Sequence, residues 1–231
     1  MAPDVLAIDV SVNAGTLVVD ARFDVPPGIT VLFGPSGSGK TTTLRAIAGL
    51  VRPERGRVAL GDEVWFDSSS GANVRPEARR LSMVFQSLSL FPHMSALENV
   101  EYGIDRGIPR EQRLETARAA LSRMRVAHVE RQRPVTLSGG EAQRVGLARA
   151  FARNPRVVLL DEAFSAMDRE LRYELGAHVR TAVAELGIPA VVVTHHRQEA
   201  RSLGDRAVLL RHGRVEAVGP VADVVPAPER N

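Results

Sequence analysis

Apolar and polar residues alternate at the start of the chain. Ile8, Val10 and Val12 lead, followed by Leu17, Val19, Ala21, Phe23 and Val25, with Asn13-Ala14-Gly15 as the break. A period of two predicts a hairpin of half-buried strands. Pro26-Pro27-Gly28 then turns the chain into an unbroken apolar run, Ile29-Thr30-Val31-Leu32-Phe33, which predicts a fully buried strand. Short strands are expected at residues 57–60 and 63–67 around the Gly61-Asp62 turn. A polar loop follows at 68–73, then a strand at 79–86 that ends in Gln86. Trp65, the only tryptophan, reads as a packing residue.

From Ser87 to Asn154 the pattern turns helical. Helices are expected from Ala96 to Tyr102 and from Arg110 to Arg123, the second with Leu114, Ala117, Ala120 and Leu121 on one face. A third begins at Leu137-Ser138-Gly139-Gly140-Glu141 and runs through Phe151. Sheet and helix then alternate: an apolar run at 157–160 ending in Asp161-Glu162, a helix from Arg169 to Leu186, and an apolar run at 189–194 ending in His195. A short helix at 198–203 and a hairpin over His212-Gly213 close the pattern. The alternation predicts an α/β fold, mainly parallel with an antiparallel flank, plus an α-helical subdomain. The expected organisation is one domain over 1–231, with the helical part at 87–154 inserted within a core of 1–86 and 155–231. Only a short tail follows Pro220.

Composition narrows the class. The 231 residues are 44% apolar and 25% charged, which is ordinary for a globular protein. The net charge of +3 is too mild for a concentrated nucleic-acid-binding face. There is no cysteine, hence no disulfide or thiolate metal site, which fits the cytoplasm. The first residues carry neither the basic nor the apolar region of a signal peptide. No apolar run approaches the roughly 18 residues of a membrane span, so any membrane role is expected to come through a partner.

The candidate chemistry centres on Gly34-Pro35-Ser36-Gly37-Ser38-Gly39-Lys40-Thr41. A buried strand precedes it, and a helix opening with Thr42-Thr43-Leu44 follows. That context makes the pattern a phosphate-binding loop. Glycines let successive N–H groups point at one anion, and the helix adds its positive end. Lys40 is expected to reach the terminal phosphates and Thr41 to hold a magnesium ion. Polar residues recur where buried strands end, at Gln86, Asp161-Glu162 and His195. In a parallel sheet, ligands bind beyond the carboxyl ends of strands, so these residues are expected to converge on the loop. Asp161 reads as a magnesium-holding carboxylate or, alone, as a helix cap; Glu162 reads as a general base or a helix-start charge. The remaining histidines (His93, His128, His178, His196, His212) lack this placement. Ser138-Gly139-Gly140-Glu141 is a second anion-grade helix start and also a Ser-x-x-Glu capping box.

This set resembles the ATP-binding subunits of ABC transporters. Residues 34–41 match Walker A, Gln86 the Q-loop, 137–141 the signature and 157–162 Walker B. Ser165-Ala166-Met167-Asp168 matches the D-loop, and Thr194-His195 the switch histidine. The six motifs occur in the family's order over nearly the whole chain. The resemblance implies ATP and Mg2+, with Thr41, Asp161 and Gln86 on the metal, Glu162 activating water and His195 at the γ-phosphate. It implies a head-to-tail homodimer in which Ser138, Gly139, Gly140 and Glu141 of one copy close over nucleotide bound by the other and Asp168 couples the halves. It also implies membrane permease subunits that dock on the segment from Gln86 to Tyr102, an indirect periplasmic or lipid-anchored binding protein, no nucleic acid, and a place on the inner face of the cell membrane.

Residues 64–68, 75–80, 84–86 and 90–93, with the lead-in 28–34, look like bacterial molybdate-type importers. The alternatives are a non-transport ABC ATPase, an importer ATPase for another small solute, or a P-loop protein that holds nucleotide without turnover. Three departures from the family pattern stand out. The hairpin around Asn13–Leu17 offers no aromatic residue to stack on adenine. Ala163 stands where proline is usual, and His196 where Asp is common. The short tail is expected to leave no room for the C-terminal regulatory domain that many sugar- and molybdate-type subunits carry.

Overall fold

The computed structural model describes residues 4–85, 89–164 and 167–227. Strands β1 (Leu6–Ala14) and β2 (Leu17–Val25) form the expected hairpin. Ile8 stands opposite Phe23, Val10 opposite Ala21 and Val12 opposite Val19. The period of two therefore puts all of these residues on one buried face. Strand β3 (Gly28–Phe33) leads into α1 (Lys40–Ala48). Strands β4 (Arg55–Leu60), β5 (Glu63–Asp67) and β6 (Ala72–Asn73) extend the hairpin by antiparallel pairing, β4 on β1, β5 on β4 and β6 on β5.

After β7 (Leu81–Val84) come α2 (Ala96–Tyr102), α3 (Arg110–Arg123) and α4 (Gly139–Ala152), with short 3-10 turns at Ala127–Val129 and Pro134–Thr136. Both α2 and α4 start with complete capping boxes, Ser95 with Glu98 and Ser138 with Glu141. The rest alternates: β8 (Val157–Asp161), α5 (Arg169–Leu186), β9 (Pro189–Thr194), α6 (Arg197–Leu203), β10 (Arg206–Arg211), β11 (Arg214–Pro220) and α7 (Val221–Val224).

One 11-stranded sheet takes every strand, in the order β6-β5-β4-β1-β2-β11-β10-β3-β9-β8-β7. From β10 to β7 neighbouring strands run parallel; from β6 to β2 they run antiparallel. The two parts join through β11, which is antiparallel to β10 and meets β2 in parallel where Arg214 faces Asp20. The flank expected from the sequence is thus continuous with the parallel core. Its joining strand comes from the far end of the chain.

The sheet separates two apolar clusters. Along β8, Val158 and Leu160 face one cluster while Val157 and Leu159 face the other. An unbroken apolar run is what a strand covered on both sides requires. Helices α2 to α6 build the first cluster, and α1 with Trp65 and Phe66 builds the second. Within the described part of the tail, Val224 of α7 and the following Val225 pack into the first cluster. Strand, phosphate loop and helix within this α/β sandwich make it a P-loop NTPase fold.

Candidate functional site

Three neighbouring strands, β3, β9 and β8, end together. Phe33 pairs with Thr194 and Asp161 with Val193. The residues that follow these ends, Gly34, His195 and Glu162, are therefore gathered by register although far apart in sequence.

The phosphate loop is fixed from below. Gly34 has φ 153°, and a Cβ there would stand 2.1 Å from the carbonyl oxygen of Leu210. Gly39 has φ 102°, and a Cβ there would stand 2.6 Å from Val19 Cγ2. No side chain fits at either position. The turn after β10 holds the loop as well, with Gly213 N donating to Ser38 O at 3.1 Å. The N–H groups of Gly37 and Gly39 donate to no acceptor among the described residues, and the buried Ser38 hydroxyl is also without a partner. A loop with free donors at a helix start is suited to an anion.

Lys40 is buried and lies back across the loop, donating from Nζ to Gly34 O at 2.9 Å and Pro35 O at 2.8 Å. Burial lowers its pKa, while the charges of Glu162 and Asp161 oppose that shift. Thr41 Oγ1 donates to Asp161 Oδ1 at 3.0 Å. Asp161 is buried at the end of β8, and burial raises its pKa. The Thr41 hydrogen bond pulls the other way, the Glu162 charge adds to the rise, and Arg45 and Lys40 oppose it. A hydroxyl and a carboxylate with these cations nearby form a hard-oxygen donor pair of the kind Mg2+ takes. Thr42 is half-buried in the first turn of α1.

Glu162 adopts φ 48°, left-handed for a residue with a side chain. Its N–H donates to Val193 O at 3.1 Å, which holds the turn. Backbone strain of this kind costs free energy and persists where the surroundings impose it. The side chain meets His195, with Nδ1 to Oε1 at 3.1 Å. His196 lies against His195, the rings tilted by 40° with centroids 4.1 Å apart. Burial lowers the pKa of His196, and the His195 and Arg172 charges add to that shift.

The serine–glycine turn lies apart, with no hydrogen bond to the phosphate loop among the described residues. Ser138 Oγ donates to Glu141 Oε2 at 2.7 Å, and Ser138 N donates to the same oxygen at 2.8 Å. These bonds, with His128 Nε2 at 3.0 Å from Oε1, hold the Glu141 carboxyl down to about 2. Gly139 is exposed, and Gly140 lies against Leu171 of α5. Asp168 caps α5, accepting from Leu171 N at 2.8 Å. Gln86, Ser165 and Ala166 lie outside the described residues.

Sequence reasoning passed over several residues that shape this region. Arg79 is fully buried, donates to Ala46 O and Ile47 O, and so caps the C-terminal end of α1. Asn99 is fully buried and binds both Phe91 N and Phe91 O, Met94 O and Ser95 O, fixing the loop before α2. His128 touches Glu141, and Glu199 is buried in the first turn of α6. None had a local signal in the sequence. No described helix is long and apolar enough to cross a membrane.

Comparison with known proteins places the chain among these architectures. The family model described as ABC transporter matches residues 18–165. The molybdenum import ATP-binding protein ModC of Pseudomonas syringae pv. tomato is 46% identical over 198 residues, covering 86% of this chain and 54% of the relative. ModC of Brucella melitensis biotype 1 is 40% identical over 221 residues, covering 96% of this chain and 61% of the relative. The chain thus spans little more than half the length of these curated relatives. Among solved structures, the dimeric structure of MJ0796, a bacterial ABC transporter cassette, superposes with a TM-score of 0.79 at 29% identity. It covers 94% of this chain and 98% of that one. A post-hydrolysis state of MJ0796 bound to ADP and Pi gives a TM-score of 0.78.

Proposed function

The chain belongs to the ABC transporter family, and from that premise we propose that it is the ATP-hydrolysing subunit of an import system for molybdate or a related oxyanion. The observation that carries the ATPase reading is the paired contact behind the phosphate loop, Thr41 with Asp161 and Glu162 with His195. The cargo rests on the relatives, which are named as molybdenum import proteins.

ATP is the substrate, and its phosphates occupy the loop from Gly34 to Thr42. Lys40 exchanges the carbonyls of Gly34 and Pro35 for phosphate oxygens, a gain because charge-assisted hydrogen bonds are the stronger ones. Thr41 and Asp161 hold Mg2+, with Gln86 as the third ligand of that proposal. When bound, the ion neutralises charge on the terminal phosphates. Glu162 accepts a proton from the attacking water, and His195 orients the carboxylate and faces the γ-phosphate.

The serine–glycine turn, Ser138, Gly139, Gly140 and Glu141, belongs to the site of a second copy, with Asp168 at the shared boundary. Dimeric MJ0796 supports that arrangement. The helical unit at 87–154 carries this turn and also the permease contact. A groove of about 630 Å³ beside Phe85, Phe91, Tyr102 and Arg149 offers an aromatic and cationic seat for a short helix of the membrane partner. Association with that partner would hold the chain at the inner face of the membrane.

Replacing Glu162 by Gln tests the core of this reading. The variant is expected to bind ATP with Mg2+, to run as a dimer on a sizing column, and to lose turnover by roughly 100-fold or more. A monomer under those conditions would sink the two-copy site. Cells lacking the chain are expected to accumulate less molybdenum from trace molybdate, measured by elemental analysis; unchanged content would redirect the cargo assignment.

A further inference from the structure

Glu199 and Asp161 are the two buried acids among the described residues, and Glu199 is the one that has no place at the phosphate loop. It is 3% exposed and sits in the first turn of α6, just after His195 and His196. Its helix neighbours Ala200 and Leu203 are buried in apolar contact, so a carboxylate interrupts a face that apolar residues would fill at less cost. Arg172, on α5, places Nε 3.7 Å from Glu199 Oε2. Arg172 Nε completes no hydrogen bond among the described residues, and the one hydroxyl that bears on the Glu199 carboxyl is that of Thr194. The other end of the guanidinium is engaged, because Arg172 Nη2 donates to Met167 O at 2.9 Å. Met167 precedes Asp168, the cap of α5. One arginine thus reaches from the Met167–Asp168 turn to an acid in the first turn of the helix that follows the histidine pair.

The geometry is that of an unfinished ion pair. At 3.7 Å the charges attract but share no proton. A shift of about 1 Å would make a charge-assisted hydrogen bond and satisfy two buried groups at once. The energy of such a buried pair changes steeply with a small displacement of either element. Burial pushes the Glu199 carboxyl up to about 7, with Arg172 and the Thr194 hydroxyl opposing that rise. Every charged group that bears on it comes from the surrounding elements: Arg172 from α5, His195 after β9 and Glu162 after β8.

We propose that Glu199 is a positioning residue, whose pairing with Arg172 ties the Met167–Asp168 turn to the segment carrying His195. Pressure on that turn from a second copy then draws the pair together and locks His195 in the contact it already makes with Glu162. The proposal rests on the ATPase reading above and adds to it a link between the dimer boundary and the histidine. Glu199 touches neither substrate nor metal in this scheme and acts only through its neighbours.

The test compares the full chain with E199Q and R172K, measuring nucleotide affinity with a fluorescent ATP analogue and steady-state hydrolysis from pH 6 to 8.5. In E199Q the affinity is expected to stay within about twofold, because the phosphate loop is untouched, while kcat falls about 10-fold from a misplaced histidine. Wild-type kcat is expected to rise as pH passes through about 7, where Glu199 ionises. That rise should flatten in E199Q. R172K keeps a charge but cannot serve both Met167 O and Glu199. It is expected to show the same kcat loss, so the link remains testable if E199Q folds poorly. Wild-type turnover with an unaltered kcat and pH profile in either folded variant would overturn the link alone. Absence of wild-type hydrolysis would overturn the ATPase reading and the link with it.

Discussion

The phosphate loop and the serine–glycine turn both place glycines at the start of a helix, yet they hold their polar groups in opposite ways. At the loop, Lys40 and Asp161 are buried, the backbone is pinned by Gly213, and the N–H groups of Gly37 and Gly39 meet no acceptor among the described residues. The charges there are displaced from their ordinary pKa values by burial. At the turn, the Ser138 hydroxyl is exposed and already donates to Glu141, and His128 meets the same carboxylate. The loop is prepared for a ligand by its own fold. The turn satisfies itself in water, and for Ser138 to donate to a phosphate it must first give up Glu141. A site that closes only when a second copy arrives should have this second character, because an unsatisfied donor on an exposed surface gains nothing while waiting.

This contrast can be broken at either end. The largest effect is expected from Lys40→Ala, which removes two charge-assisted bonds. ATP affinity should fall by about 100-fold, or ~3 kcal/mol, in a titration of the isolated chain. Unchanged affinity would mean that the loop does not hold the phosphates. Ser138→Ala should behave differently. Binding by the isolated chain should stay the same, while turnover falls by roughly 10-fold through one lost bond to phosphate. A parallel loss of binding would place the turn in the same half-site as the loop and erase the distinction. Losing the cap should also lower stability by about 1 kcal/mol, read in a denaturant titration. The smallest effect concerns the base. Phe23 is buried in the β1–β2 face, and no aromatic residue stands at Asn13–Leu17. Stacking is worth about 1 kcal/mol, so ATP and GTP turnover should differ by less than about 10-fold. A strong preference for ATP would reveal an adenine contact from elsewhere, including the second copy.

Much of the fold was legible because its causes are short-range. The alternation at Ile8, Val10 and Val12, the unbroken runs of β3, β8 and β9, and the Ser-x-x-Glu box at Ser138 each act within a few residues. The phosphate loop was legible for the same reason, since glycines, Lys40 and Thr41 are contiguous. The candidate site was legible only as a set of strand ends. That Glu162 meets His195, and that Asp161 meets Thr41 rather than solvent, follows from β3, β9 and β8 lying side by side in register. His128 and His196 had been set aside with the unplaced histidines; one touches Glu141 and the other lies against His195.

By itself, then, the sequence determined the kinds of elements, their caps and the one contiguous cradle for phosphate. These depend on backbone sterics, local hydrogen bonding and the period at which apolar residues recur. The tertiary structure decided what no local pattern carries. It brought β11 back from the far end of the chain to join the two parts of the sheet. It buried Arg79 against the end of α1 and Glu199 against Arg172. The reason is physical. A charge in the interior is tolerable only where particular partners from other elements meet it, and those partners are chosen by strand order and helix packing, over separations along the chain that residue patterns do not span.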